Sequence, residues 1–104
     1  MTPLELSARL RAASPPRLLD VRQPEEHAFA ALANSTLIPL GELAGRVEEI
    51  GDWQQDEVVV YCHHGIRSAQ AVAMLRAAGF TNVHNLSGGI DRWTDEVDAT
   101  MPRY

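Results

Sequence analysis

Hydrophobic positions along the chain fall alternately into helical spacing and into short unbroken runs. Leu6, Leu10 and Ala13 recur on one helical face behind a threonine cap and a first-turn proline, which predicts a helix. The run 17–21 is short, apolar and bounded by chain breakers, which is typical of a strand buried in a sheet. The next proline begins a predicted short helix over residues 24–30.

The alternation continues through the second half of the chain. Further strands are predicted over 35–38, 57–61 and 82–86, and further helices over 40–50, 68–78 and a short segment that holds Trp93. Three consecutive valines make 57–61 the strongest strand signal, because β-branched residues resist helix formation and suit a sheet buried on both faces. Gly51 follows the helical spacing at the position of a left-handed cap.

This order of elements indicates the fold class. Strands that alternate with helices predict a single α/β domain over residues 1–104, with a central, mainly parallel sheet of four to five strands and helices on both faces. Ligands bind to such sheets beyond the carboxyl ends of the strands. Cys62 directly follows the strongest strand and precedes a helix, so its sulfur is expected at that edge.

Composition narrows the range of partners. The chain is 45% hydrophobic and 22% charged, which is typical of a globular domain and not of a disordered segment. A net charge of −5 without a basic stripe argues against nucleic acid as a partner. No apolar run is long enough to cross a bilayer, and the first residues lack the basic start and apolar stretch of a secretory signal. A cytoplasmic location without a membrane partner is therefore expected.

The candidate chemistry lies in one predicted strand-to-helix loop, which reads Cys62, His63, His64, Gly65, Ile66, Arg67 and Ser68. The first amides of a helix lack intrahelical partners and carry partial positive charge, so a loop wrapped around the sulfur favours the thiolate. Gly65 lets the backbone approach the sulfur, Arg67 adds a positive charge at the rim, and Ser68 is expected to cap the helix. A lone cysteine is commonly a small buried apolar residue, but these neighbours favour a reactive one.

Three segments together resemble the rhodanese family. The loop has a Cys-x-x-Gly-x-Arg-Ser pattern, residues 18–22 with Glu26 are similar to the family's first signature, and residues 85–93 are similar to its C-terminal one. The resemblance implies an α/β domain with a central parallel sheet. It also implies a catalytic cysteine, Cys62, that cycles through a persulfide.

Two features depart from the family pattern. Residues 30–35 read Ala-Ala-Leu-Ala-Asn-Ser, where members often carry Gly-His-Ile-Pro-Gly-Ala. The polar histidine of that stretch is missing, so no role assigned to it elsewhere can be transferred to this chain. The N-terminal segment is also short of a first strand that many members have.

Sulfur transfer is the function that these observations predict. Cys62 is the only cysteine, so it forms no internal disulfide and is the one thiol available for covalent chemistry. It would take sulfur from a small anionic donor, thiosulfate or a persulfide, and pass it to a thiol or cyanide acceptor. Residues 63–68 would bind the substrate, and no cofactor or metal is required. An alternative stays open: a persulfide carrier or docking module that delivers sulfur to a partner protein with little small-molecule turnover.

The length of the loop separates this reaction from phosphate chemistry. Phosphatases and arsenate reductases of the same general fold have one more residue between the cysteine and the arginine, whereas four residues intervene between Cys62 and Arg67. A tetrahedral oxyanion needs the larger ring of amides, and a persulfide adds only one sulfur atom. The shorter loop favours sulfur over phosphate.

Several other polar and aromatic residues are assigned to the architecture. Asp20 is expected to accept backbone hydrogen bonds at the end of its strand, and Arg22 is expected to pair with Glu26. These three residues would support the loop without taking part in the chemistry. Trp53 and Trp93 are expected to pack in the core.

The histidines leave more than one interpretation open. His63 and His64 either line the mouth of the pocket, where they would bind an anion when protonated, or simply face solvent. A zinc site made of Cys62 and these two residues is not expected, because adjacent side chains diverge and no fourth ligand is evident. His27 and His84 are expected at the surface or in satisfied structural positions.

Overall fold

Four short strands and five α-helices follow one another along residues 1–104 of the computed structural model. The strands are β1 (Arg17–Asp20), β2 (Ser35–Leu37), β3 (Glu57–Tyr61) and β4 (Asn82–Asn85). The helices are α1 (Pro3–Leu10), α2 (Pro24–Phe29), α3 (Leu40–Arg46), α4 (Ile66–Ala77) and α5 (Gly89–Glu96), with a 3₁₀ helix (Val47–Trp53) after α3. None of these helices is long and apolar enough to span a membrane.

The helix predicted over 40–50 differs most from its prediction. α3 ends at Arg46, and the chain continues as the 3₁₀ helix with a kink at Ile50, where φ is −118° and ψ is 22°. Gly51 lies inside this segment and is not among the glycines with positive φ, so the prediction of a left-handed cap was wrong. Gly79, just after α4, does adopt that conformation, with φ of 98°.

The strands form one parallel sheet in the order β2–β1–β3–β4. In β3, Val59 pairs with Leu18 of β1 on one side and with His84 of β4 on the other. The predicted fold class is confirmed, with four strands. Because β3 has a neighbour on each side, its carboxyl end lies between those of β1 and β4 and not at a flank of the sheet.

Both faces of the sheet are covered, since alternate side chains of β3 enter different cores. Val58 and Val60 pack with residues of α3 and α4, whereas Val59 and Tyr61 pack with residues of α1 and α5. Cys62 continues the first of these rows and joins the core that faces α4. The strand that places the cysteine is therefore held from both sides.

Met1 lies beside the end of β4. Its amine donates to the carbonyl of Asn85 at 2.9 Å, and the N–H of Ser87 donates to the carbonyl of Met1 at 2.8 Å. The N-terminal segment therefore meets the end of β4 through two hydrogen bonds of Met1 and does not add a strand to the sheet.

Candidate active site

Cys62 lies at the carboxyl end of β3, where the sheet meets α4. The residue is 1% exposed, and its Sγ accepts hydrogen bonds from the main-chain N–H groups of Gly65, at 3.1 Å, and Ser68, at 3.3 Å. Amide donors that converge on one sulfur stabilise a negative charge there. Of the amides predicted to surround the sulfur, these two make the contact.

Gly65 provides the sharp turn between the strand and the helix. It is the residue before α4 and has φ of 103°, a conformation that glycine adopts at little cost. Ser68 is the third residue of α4, so the prediction that it caps this helix was wrong. Its hydroxyl donates instead to Asn85 Oδ1, at 2.6 Å.

The first turn of α5 holds the loop from the other side. The N–H of Ile90 donates to the carbonyl of Cys62 at 2.9 Å, and the N–H of Asp91 donates to the carbonyl of His63 at 3.1 Å. Since the N–H of a trans peptide points opposite to its carbonyl, the two amides that follow these carbonyls point away from α5. A Cβ on Gly89 would lie 2.3 Å from the His63 carbonyl oxygen and 2.5 Å from that of Cys62, so only glycine permits this approach.

Arg67 is bound to Glu26 at the rim of the loop. Its Nη1 and Nη2 donate to the two carboxylate oxygens at 2.7 and 3.0 Å, a bidentate pair that joins the loop to α2. The hydrogen bonds from Arg67 lower the pKa of the Glu26 carboxyl to about 2. The pair is therefore ionised at neutral pH, and the carboxylate offsets part of the positive charge that was predicted for the rim.

The partner of Arg22 is Asp20, so the predicted pair of Arg22 with Glu26 was wrong. Both side chains are fully buried, and Nε and Nη2 of Arg22 donate to the two oxygens of Asp20 at 2.9 and 2.7 Å. Burial is the largest single influence and would lower the pKa of the guanidinium, but the hydrogen bonds to Asp20 and Tyr104 and the charge of Asp20 together raise it. Asp20 also accepts the main-chain N–H of Arg22 at 3.0 Å, as predicted, and lies 2.8 Å from Nδ1 of His27.

Tyr104 connects these two ion pairs, and nothing in its sequence context indicated such a role. Its hydroxyl accepts from Nη1 of Arg22 at 2.9 Å and donates to Oε2 of Glu26 at 2.8 Å. Its ring stacks on that of His63 with centroids 4.0 Å apart. Burial raises the pKa of Tyr104, so the phenol keeps its proton at neutral pH.

The two histidines of the loop lie against each other and against α5. Their rings stack with centroids 4.1 Å apart, so the prediction that the adjacent side chains diverge was wrong. The Nε2 atoms of His63 and His64 lie 3.9 and 3.6 Å from the carboxylate oxygens of Asp91. Burial, followed by the charge of His64, lowers the pKa of His63, so this ring is neutral at neutral pH.

His63, His64 and Asp91 are also the one place where three potential metal ligands converge, within 4.8 Å of one another. Arg103 already donates to Oδ1 of Asp91 at 2.9 Å, which engages an oxygen that an ion would use. The cluster does not include Cys62. Its geometry is that of a charged and aromatic rim beside the sulfur.

The rim of the loop also carries exposed hydrophobic side chains and lacks a preformed cavity. The three surface cavities are lined by residues outside the loop. Phe29, Ile66 and Tyr104 are large hydrophobic side chains that stay 45% exposed or more, and the rings of Phe29 and Tyr104 meet edge to face at 5.9 Å. The site offers one sulfur, two main-chain donors and a rim of charged, aromatic and apolar side chains, which suits reaction with a small or protruding group.

Comparison with known proteins agrees with this fold. Residues 2–96 match the model of the rhodanese-like domain family. The chain is 35% identical over 105 residues to the probable adenylyltransferase/sulfurtransferase MoeZ of Mycobacterium tuberculosis, which covers 100% of this chain and 26% of that protein. It is 38% identical over 88 residues to a sulfurtransferase of Allochromatium vinosum, which covers 85% of this chain and 80% of that one.

A solved structure extends the comparison to three dimensions. The human single-domain sulfurtransferase TSTD1 matches with a TM-score of 0.80 and 27% identity over 92% of this chain and 95% of that one. The geometry defines a class of protein: α/β domains whose parallel sheet carries a cysteine loop at its carboxyl edge. The chain belongs to the rhodanese-like domain family.

Proposed function

We propose that this protein is a sulfurtransferase that carries sulfur as a persulfide on Cys62. The observation that carries the proposal is the pair of main-chain hydrogen bonds from Gly65 and Ser68 to the buried Sγ. These donors stabilise the thiolate that attacks and the thiolate that later leaves. The names of the related sulfurtransferases support the same reaction class.

In the first half of the reaction, Cys62 takes up sulfur. Its thiolate attacks the outer sulfur of thiosulfate, the new S–S bond forms on Sγ, and the bond inside thiosulfate breaks. Sulfite leaves with the bonding electron pair, and the persulfide keeps one negative charge on its terminal sulfur. A low-molecular-weight persulfide would react in the same way and release its thiolate.

In the second half, an acceptor removes the terminal sulfur. Cyanide or an acceptor thiolate attacks that sulfur, the S–S bond to Cys62 breaks, and Sγ leaves as a thiolate with the electron pair. The products are thiocyanate or the persulfide of the acceptor. In each step one bond to the transferred sulfur forms while one S–S bond breaks, and the leaving group takes the bonding electron pair. The reaction therefore needs no external oxidant or reductant, and the proposal includes no cofactor or metal.

Loop size supports sulfur as the cargo. Four residues separate Cys62 from Arg67, and the amides of Gly65 and Ser68 already reach the cysteine sulfur. A phosphate group needs a wider ring of donors around its oxygens. Arg67 would assist an anionic donor from the rim, with part of its charge offset by Glu26.

A second candidate is a persulfide carrier that serves a protein partner. The observation in its favour is the exposed hydrophobic surface of Phe29, Ile66 and Tyr104 together with an arginine whose charge Glu26 partly offsets, since neither feature selects a small anion. Such a rim suits contact with a protein that presents a thiol. Under this candidate Cys62 would be loaded readily and turn over slowly with small acceptors.

Steady-state assays separate the two candidates. A sulfurtransferase releases thiocyanate continuously from thiosulfate and cyanide, and Cys62→Ser abolishes the release while the domain stays folded. A carrier forms one persulfide per chain and shows negligible turnover. Retained thiocyanate release by Cys62→Ser would mean that another group is the nucleophile.

The proposal includes the cytoplasmic location predicted from the sequence. Cytosolic thiol buffers keep cysteines reduced. Such a compartment would maintain the Cys62 thiol between sulfur transfers and supply thiol acceptors.

A further inference from the structure

The hydroxyl of Ser68 lies between two groups that compete for its single proton. Its Oγ is 2.6 Å from Oδ1 of Asn85 and 3.3 Å from Sγ of Cys62. An amide oxygen only accepts hydrogen bonds, so the short contact with Asn85 requires the hydroxyl proton. Ser68 therefore turns its lone pairs, and not its proton, toward the sulfur.

A second contact fixes the orientation of the Asn85 amide. Its Nδ2 donates to the main-chain carbonyl of Gly65 at 3.1 Å. Rotation of the amide by half a turn would place two oxygens against each other at this contact. Oδ1 consequently faces Ser68, and the direction of the Ser68 hydrogen bond follows from the network itself.

We infer that Asn85 is a positioning residue for the proposed sulfur transfer, because it holds the Ser68 proton away from Cys62 Sγ. The inference rests on the proposed function. Asn85 makes no hydrogen bond to the sulfur, so its effect on Cys62 is exerted through Ser68.

The effect differs among the three forms of Cys62. The thiol can donate to Ser68 Oγ, so it fits the network as it stands. The persulfide carries its charge on the terminal sulfur, so Sγ has little need of a donor from Ser68. The thiolate alone needs that proton, and it must compete with Asn85 for it. Asn85 thus disfavours the thiolate relative to the other two forms and favours retention of bound sulfur.

Alkylation of Cys62 by iodoacetamide at neutral pH measures this competition without any sulfur donor. A single pH keeps the charge states of Glu26, His63 and Arg67, the neighbouring groups, common to all variants. Asn85→Ala frees the hydroxyl to donate to Sγ, and we expect alkylation about five- to tenfold faster than in the unmodified protein. Ser68→Ala in the otherwise unmodified chain should change the rate by less than about twofold, since that hydroxyl gives the sulfur no proton.

The double variant distinguishes this mechanism from simple loosening of the loop. Ser68→Ala added to Asn85→Ala should remove the acceleration, because the freed hydroxyl is then absent. An acceleration that survives in the double variant would reflect exposure of the sulfur and would overturn the inference. So would an Asn85→Ala rate equal to that of the unmodified protein.

Asn85→Asp is the matched control. It also loses the donor to Gly65 but keeps an oxygen for the Ser68 proton, so its alkylation should be no faster than that of the unmodified protein. A rate as fast as that of Asn85→Ala would overturn the inference. If Asn85→Ala does not fold, an Asn85→Asp rate about five- to tenfold above that of the unmodified protein, or a Ser68→Ala rate changed by more than about twofold, would still overturn the inference. Failure to form a persulfide, measured separately, would instead concern the proposed function.

Discussion

The two terminal nitrogens of Arg67 donate to the two carboxylate oxygens of Glu26, at 2.7 and 3.0 Å, across 41 residues of chain. This pair ties the cysteine loop to α2, while the first turn of α5 ties it to the opposite side. The loop is therefore anchored from two elements in addition to the strand and helix that it connects. Its two amides are held in place around Cys62 Sγ, which is the preorganisation that would stabilise a negative charge on that sulfur.

Glu26→Gln should lower stability at neutral pH. Glutamine keeps an oxygen for the N–H of Gln23, which donates to Glu26 at 3.0 Å, but it removes the charge that faces Arg67. We expect the free energy of unfolding in urea to fall by about 1–2 kcal/mol, since the pair is partly exposed. Glu25→Gln removes the neighbouring exposed carboxylate and should change it by less than about 0.5 kcal/mol.

The same pair gives stability a pH dependence of defined sign. The folded-state pKa of the Glu26 carboxyl, about 2, lies below its ordinary value of 4.5. The stabilisation that ionised Glu26 contributes is therefore present above pH 4.5 and is lost as the pH falls toward 2. The stability gap between the unmodified protein and Glu26→Gln should narrow across that window. A gap that stays constant from neutral pH to pH 2 would show that the ion pair does not contribute to stability.

Gly89→Ala should disturb the loop and the fold together. The new Cβ would overlap the carbonyl oxygens of Cys62 and His63. The backbone at position 89 has a φ of 63°, which is unfavourable for alanine. We expect a loss of roughly 2–4 kcal/mol in the free energy of unfolding and slower sulfur transfer. Gly45→Ala in α3 is the control, because its Cβ meets nothing within 4 Å and should be neutral or stabilising. Equal behaviour of the two variants would contradict the close approach of α5.

Tyr104→Phe should remove the bridge between the two ion pairs but keep the stack on His63. The hydroxyl joins Arg22 and Glu26 at 2.9 and 2.8 Å, so we expect the free energy of unfolding to fall by about 0.5–1.5 kcal/mol. Tyr104→Ala should cost more, because it also removes the stacking. If both variants unfold at the same urea concentration as the unmodified protein, Tyr104 does not hold the rim together.

The part of the site that depends on local pattern could be predicted from the sequence. Three valines define β3, and the glycine after Cys62 marks the turn into α4, so the position of the sulfur at the sheet edge follows from neighbouring residues. A set of amide donors around the sulfur follows from the same turn, but which two of them contact it does not. The fold class follows because hydrophobic residues recur with one period in helices and with another in strands.

The rim could not be predicted in the same way, because its contacts join distant parts of the chain. Arg22 shows why the predicted partner was wrong. Its spacing from Glu26 suits a pair on one helix, but α2 begins only at Pro24, so Arg22 is not on that helix. In the extended chain at the end of β1, Asp20 and Arg22 lie on the same face. Tyr104 reaches both groups from 78 and 82 residues away, a contact that no local pattern encodes.

Intact-protein mass after incubation with thiosulfate or a low-molecular-weight persulfide tests the central claim most directly. Cys62 is the only cysteine, so a bound sulfur has one possible thiol to occupy. The account predicts the gain of one sulfur atom, its removal by cyanide, and no gain in Cys62→Ser. An unchanged mass with every donor, or the same gain in Cys62→Ser, would contradict it.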